Sequence, residues 1–221
     1  KVESFFNYEI SDQNKKSNYY QLFYYQESIR NLYTSLTFSI SKSDFKILTL
    51  TSSIFGEGKS LINSIIAKVF SDNDYKVLLV DADLRKPTIH KNFLIDNKYG
   101  LTNFLSEDDL NLNKYINKIS SNLSILTSGP VDLDPTKILS STNMDKFINI
   151  LRKTDKYDLV IFDVPPSLGL SDYKLICKNT DGLIFLISLG YCKKHFAQNA
   201  YNEIKNLNFN ILGIISNLTN F

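Results

Sequence analysis

Three short runs hold the residues best suited to chemistry. The first is Ser52-Ser53-Ile54-Phe55-Gly56-Glu57-Gly58-Lys59-Ser60. A polyphosphate needs several backbone N–H groups pointing inward, and bulky side chains would block that approach. Gly56 and Gly58 permit the tight turn, and the N-terminus of a following helix adds its dipole. In such a cradle Lys59 neutralises the β- and γ-phosphates and the Ser60 hydroxyl holds Mg²⁺. The strict pattern G-x-x-x-x-G-K-[ST] opens with Gly, and Ser53 stands in that place here. The second run is Val77-Leu78-Leu79-Val80-Asp81-Ala82-Asp83-Leu84-Arg85-Lys86-Pro87. Asp81 and Asp83, two apart at a strand end, are expected to point the same way at a ligand edge. The third is Asp158-Leu159-Val160-Ile161-Phe162-Asp163-Val164-Pro165-Pro166. Asp163 closes an apolar run, as a carboxylate holding Mg²⁺ through water would.

These residues need elements to position them. Phe45 to Thr51 is an apolar run that reads as a buried strand feeding the glycine loop. Lys59 to Ser71 reads as a helix with a wide apolar face from Leu61, Ile62, Ile65, Ile66 and Val69. Further buried strands are expected at Lys76–Val80, Leu123–Thr127, Leu159–Phe162, Leu183–Ser188 and Ile211–Ile215. Helical patterns lie near Met144–Arg152, Ser171–Lys178 and Lys193–Leu207. Continuously apolar strands separated by helices predict an α/β fold, P-loop NTPase-like, with a mostly parallel central sheet and helices on both faces. Ligands of such sheets bind beyond the carboxyl ends of the strands, where the three runs converge. Residues 1–18 are polar and read as an irregular arm, and 19–221 as a single domain. That domain opens on a helix at about 19–39, where Leu22, Tyr25, Ile29, Leu32 and Leu36 recur at helical spacing. Glu107 to Asn122 is largely polar and reads as an exposed excursion.

The composition bounds the function. The chain has 221 residues, with 25 Lys and Arg against 23 Asp and Glu, a net charge of +2. No basic excess points to nucleic acid and no acidic excess to disorder. No apolar run approaches the roughly 18 residues of a membrane helix. The chain begins at Lys1 and its one Met is Met144, which suggests a domain cut from something longer. Cys177 and Cys192 lack C-x-x-C spacing and read as reduced thiols of a cytosolic protein. His90 and His195 are isolated, which argues against zinc or a Cys–His nucleophile.

At this level the sequence resembles the cytoplasmic kinase domain of the bacterial tyrosine kinases, the autokinases of capsule and exopolysaccharide export. Their glycine loop commonly reads T-S-S-x-P-G-E-G-K-S, and Thr51 to Ser60 matches with Phe55 replacing Pro. Their second motif reads V-D-A-D-x-R-K-P, which Val80 to Pro87 matches throughout. Their third reads I-I-D-T-P-P, matched by Ile161 to Pro166 with Phe162 and Val164 as departures. Further agreement lies in Tyr99-Gly100-Leu101, in Ser128-Gly129-Pro130, in Pro135 with Leu139-Ser140-Ser141, and in Gly213-Ile214-Ile215-Ser216-Asn217. The likeness runs from about Glu27 to the end.

The resemblance implies an ATP-dependent protein-tyrosine autokinase using Mg²⁺. Its catalytic set would be Lys59, Asp81, Asp83 and Asp163, with Ser60, Asp81 and Asp163 around the metal. Asp83 would help activate the acceptor hydroxyl. Ser53, Phe55, Gly56, Glu57, Gly58, Lys59, Ser60 and Leu61 would line the nucleotide, and Asn217 matches a position that contacts adenine. Arg85 and Lys86 lie nearby. The family's E-x-x-R-x-x-R helix serves ring-like self-association; Glu27 and Arg30 match, while Tyr33 replaces the second Arg. The implied partners are a second copy, a membrane polysaccharide co-polymerase or adaptor segment, and a tyrosine-rich tail as substrate, with no nucleic acid. The implied location is cytoplasmic, at the inner face of the membrane through a tether or partner. The family's tyrosine-rich C-terminal tail has no counterpart in Leu218-Thr219-Asn220-Phe221. The pairs Tyr19-Tyr20 and Tyr24-Tyr25 read as packing and surface aromatics rather than as substitute acceptors. Two alternatives stand beside this reading. One is a catalytically weak ATP-binding partner of a co-polymerase. The other is a partition or septum-placement ATPase, whose loop would carry Lys where Ile54 stands.

Overall fold

The computed structural model describes the backbone of residues 15–40, 45–107 and 111–218, and side chains at 23–40, 45–107 and 111–217. The chain divides into two units, residues 1–44 and 45–221. In the first, helix α1 (Lys15–Ile40) is unbroken, as expected of a stretch with neither Gly nor Pro. It begins before Tyr19, so residues 15–18 of the expected arm are helical. Residues 1–14 of that arm lie outside the described residues. Arg30 donates to Glu27 on one face of α1, an exposed pair three residues apart.

The second unit is built on a seven-stranded sheet. Its elements in chain order begin with β1 (Ile47–Ser52), α2 (Lys59–Asp72), β2 (Val77–Asp81), α3 (Ile89–Phe93) and α4 (Leu101–Ser106). Next come β3 (Asn117–Lys118), β4 (Leu123–Leu126), α5 (Pro135–Leu139), α6 (Thr142–Lys153) and β5 (Leu159–Asp163). The unit ends with α7 (Asp172–Cys177), β6 (Gly182–Leu189), α8 (Lys194–Asn206) and β7 (Ile211–Leu218). The strand order is β3-β4-β2-β5-β1-β6-β7, and only the β3–β4 pair is antiparallel.

Every residue of β1, β2 and β5 is buried, which is why β2 and β5 are apolar up to their closing Asp and β1 carries only Thr and Ser among its apolar residues. Successive side chains still alternate between the two faces. Ile47, Leu78, Val80, Val160, Phe162 and Phe185 join one core with residues of α4, α6, α7 and α8. Within it Phe147 stands 5.1 Å from Phe104 and 6.1 Å from Phe162, centroid to centroid, in tilted and edge-on contacts. Alternation leaves Leu48, Leu50, Leu79 and Ile161 on the opposite face, and α2 packs against β1, β2 and β5. The helices therefore cover both faces of the sheet.

The segment read as an exposed excursion is largely exposed among its described residues, but it carries local structure. It forms a short turn of 3₁₀ helix at Leu112–Lys114 and the edge strand β3. Tyr115 is buried and packs edge-on against Phe104. Leu112 and Ile116 pack beside it against the same core. Residues 108–110 lie outside the described residues. Helices α3, α4 and α5 have five or six residues each, too few to display a period.

Candidate nucleotide and phosphoryl-transfer site

The glycine loop leaves β1 at Ser52 and enters α2 at Lys59. Gly56 and Gly58 have φ of +89° and +90°, values that side chains disfavour. The first bond of α2 runs from the Ile62 N–H to the Gly58 carbonyl at 3.0 Å. The N–H groups of Lys59, Ser60 and Leu61 precede that ladder, where a helix presents unpaired donors to an anion. The Ser60 carbonyl accepts from Ser64 Oγ at 2.7 Å and from Asn92 Nδ2 at 3.3 Å, and its hydroxyl stays available to a ligand.

Lys59 meets the two other motifs directly. Its Nζ lies 2.7 Å from Asp163 Oδ1 and 3.2 Å from Asp83 Oδ2, in a pocket that leaves it 7% exposed. Asp81 and Asp163 are register partners on the neighbouring strands β2 and β5, so the sheet sets two carboxylates side by side. β2 ends at Asp81, and Asp83 comes from the turn that follows, held by the Lys86 N–H at 3.1 Å. Asp81 Oδ2 accepts from the N–H groups of Thr88 (3.1 Å) and Ile89 (3.0 Å).

Electrostatics follow from this crowding. Burial foremost, then the neighbouring Asp163 carboxylate, push the Asp81 carboxyl well above the usual range. Burial also raises Asp83, against the pull of Lys59. Burial works against the Lys59 ammonium, yet Asp163, Asp83 and Asp81 together outweigh it and hold its pKa above the ordinary lysine value.

A divalent cation fits this arrangement. Asp81 Oδ1 and Asp163 Oδ2 are buried with no hydrogen-bond partner among the described residues. Three carboxylates face one ammonium, a surplus of negative charge. Among the described residues no cluster of three or more acidic, His or Cys side chains is set to grip a metal directly. Such a donor set suits Mg²⁺, which keeps most of its water and takes few protein ligands.

Asn63 and Ser188 contribute beyond the residues expected from the sequence. Asn63, one turn after Lys59, donates to Asp163 Oδ1 at 2.8 Å. It is a fully buried polar residue inside the apolar face of α2, a signal that was readable. Glu57 does more than line the loop. Its carboxylate is 1% exposed and turns inward, accepting from Ile54 N–H (2.8 Å) and from Ser188 N–H at the end of β6 (2.9 Å). Only its backbone faces the loop. Asn217 Nδ2 donates to the Glu57 carbonyl at 3.0 Å, so this residue braces the loop. Ser53 is buried beside the Cys192 thiol, while Phe55 is exposed at the loop's tip. Leu61 is half-buried in the first turn of α2. Arg85 forms a two-pronged pair with the buried Asp172. Glu27 and Arg30 belong to the other unit.

Comparisons with known proteins identify the family. A family model described as an AAA domain matches residues 45–212. The tyrosine-protein kinase YwqD of Bacillus subtilis is 35% identical over 191 residues, covering 86% of this chain and 80% of that relative. This chain belongs to the bacterial tyrosine-protein kinases. The tyrosine-protein kinase etk of Escherichia coli is 31% identical over 192 residues, but this chain spans only 26% of its length. The solved kinase domain of the Escherichia coli tyrosine kinase ETK superposes with a TM-score of 0.81 at 30% identity, covering 88% of this chain and 76% of that one. The tyrosine-kinase fold thus carries the three motifs to one sheet edge, and its P-loop is a nucleotide-binding one. No described helix is long and apolar enough to cross a membrane.

Proposed function

We propose that this tyrosine kinase transfers the γ-phosphoryl group of Mg-ATP to tyrosine hydroxyls of a partner chain or a second copy of itself, in the control of capsular or exopolysaccharide synthesis. The observation that carries the reading is the convergence of Lys59 with Asp81, Asp83 and Asp163 beside the glycine loop.

The roles follow from position. The N–H groups at the start of α2 and the Lys59 ammonium bind the phosphates. Ser60, with Asp81 and Asp163 through water, would hold Mg²⁺, which supplies neutralisation of charge on the β- and γ-phosphates. Asp83 sits in a turn 3% exposed, and its raised pKa makes it a better base than an ordinary aspartate. It takes the proton of an incoming phenol, whose own pKa is about 10. The acceptor oxygen bonds to the γ-phosphorus while the β,γ-bridging oxygen leaves with its electron pair. Positioning and charge neutralisation carry the rate.

Glu27 and Arg30 on α1 mark the self-association surface. Attachment to the inner membrane face runs through a tether or a co-polymerase partner, since the net charge of +2 offers no basic footprint. Incubation with Mg-ATP and a glutamate–tyrosine copolymer tests the activity. Phosphotyrosine on the copolymer is expected; nucleotide binding without it would leave a regulatory ATP-binding partner instead.

A further inference from the structure

The loop after β6 crosses the P-loop at Tyr191. The Tyr191 hydroxyl donates to the Phe55 carbonyl at 3.3 Å. A Cβ placed on Gly56 would fall 2.6 Å from the same hydroxyl oxygen, so the tyrosine tip fills the space that this glycine leaves. The residue is nonetheless 51% exposed, and its bond to Phe55 lies at the exposed surface. The turn that carries Tyr191 is anchored through its backbone, while the Tyr191 side chain meets the P-loop through its hydroxyl. Ser188 is fixed, since its N–H is held by the buried Glu57 and its carbonyl accepts from Tyr191 and Cys192 N–H. Gly190, at φ +82°, makes this turn, so release of Tyr191 is a swing of its side chain and not of the loop.

We propose that Tyr191 is itself a phosphoryl acceptor, and that its modification releases the P-loop and weakens nucleotide binding. The inference rests on the kinase reading above. In the step, Tyr191 Oη bonds to the γ-phosphorus of ATP held by a second copy. The bond from that phosphorus to the β,γ-bridging oxygen breaks, ADP leaves with the electron pair, and the phenolic proton passes to Asp83 of the donor copy. The ester oxygen then carries no hydrogen, so the bond to the Phe55 carbonyl is lost. A group of charge near −2 also stands beside a cradle built for polyphosphate, and like charges repel. Lys193 and Lys194, both exposed and two and three residues further on, offer cations that hold the lifted phosphate away from the loop.

The test uses two chains and two acceptors. A ¹⁵N-labelled Asp81→Asn chain, crippled as a donor, is mixed with phosphatase-treated unlabelled wild type, Mg-ATP and the glutamate–tyrosine copolymer. Mass spectrometry is expected to find phosphate on Tyr191 of the labelled chain. The phosphorylated wild type is expected to bind ATP at least tenfold more weakly, with affinity restored by a tyrosine phosphatase. A Tyr191→Phe chain should hold its rate during prolonged incubation while the wild type slows. Phosphate on the copolymer with Tyr191 bare overturns this inference and leaves the kinase reading standing. Phosphate on neither overturns both. Phosphate on Tyr191 with unchanged ATP affinity overturns the gating role.

Discussion

Lys59 and Asp163 form a buried ion pair, 2.7 Å from Nζ to Oδ1, where the glycine loop meets the end of β5. A buried pair is costly to desolvate and is weak evidence for stability by itself. Here it holds an ammonium beside the glycine loop, and in the proposed reaction an arriving γ-phosphate would compete with Asp163 for it. The surplus carboxylates around the pair give the first prediction.

Asp81→Asn should stabilise the nucleotide-free protein while removing most activity. The Asn oxygen can keep both bonds from Thr88 and Ile89, and its amide replaces an unpartnered buried oxygen. The gain should be on the order of 1 kcal/mol in denaturant unfolding, with phosphotransfer down about 100-fold.

The same carboxylates set a pH dependence. Asp81 and Asp83 have raised pKa values, so the folded state binds protons that the unfolded chain has released. Their contribution to stability is complete below the ordinary Asp pKa of 3.8 and is lost as pH rises through the raised values. Thermal melts of the metal-free protein should therefore fall across that window, and the slope should shrink in Asp81→Asn. Mg²⁺ favours the ionised carboxylates, so its apparent affinity should rise with pH over the same range.

Glu57→Gln tests the clamp on the P-loop. Gln can offer one carbonyl oxygen, so an NH₂ group would face either Ile54 N–H or Ser188 N–H. The expected cost is about 1–3 kcal/mol, and KM for ATP should rise about tenfold with a smaller change in kcat. Steady-state kinetics at varied ATP would decide this; a change in kcat alone would contradict it.

Gly100→Ala should damage the fold without touching the site. An added Cβ would fall 2.2 Å from the Thr127 carbonyl oxygen and 2.3 Å from the Gly129 nitrogen, both backbone atoms that cannot swing aside. Urea unfolding should show a loss of roughly 3 kcal/mol.

The sheet was readable because β1, β2, β5 and most of β6 are buried on both faces and are therefore predominantly apolar. The three ligand-edge motifs were readable because each ends such a strand. The resemblance flagged Tyr99-Gly100-Leu101 and Ser128-Gly129-Pro130, and the structure supplies the reason: their backbones touch. What escaped was set by single tertiary contacts. Tyr191 and Ser188 owe their roles to where the β6–α8 loop crosses, and Glu57 to a carboxylate turned inward. No periodicity announces either. Tyr115 entered the core from a polar segment for the same reason.

The most direct test of the central claim is phosphotyrosine formed on the glutamate–tyrosine copolymer with Mg-ATP, for wild type and for Lys59→Met. The wild type should transfer phosphate to tyrosine, and Lys59→Met should be slower by about 100- to 1,000-fold once the ammonium beside the γ-phosphate is gone. Equal rates for the two chains, or no phosphotyrosine from a folded wild type that binds ATP, would contradict the account.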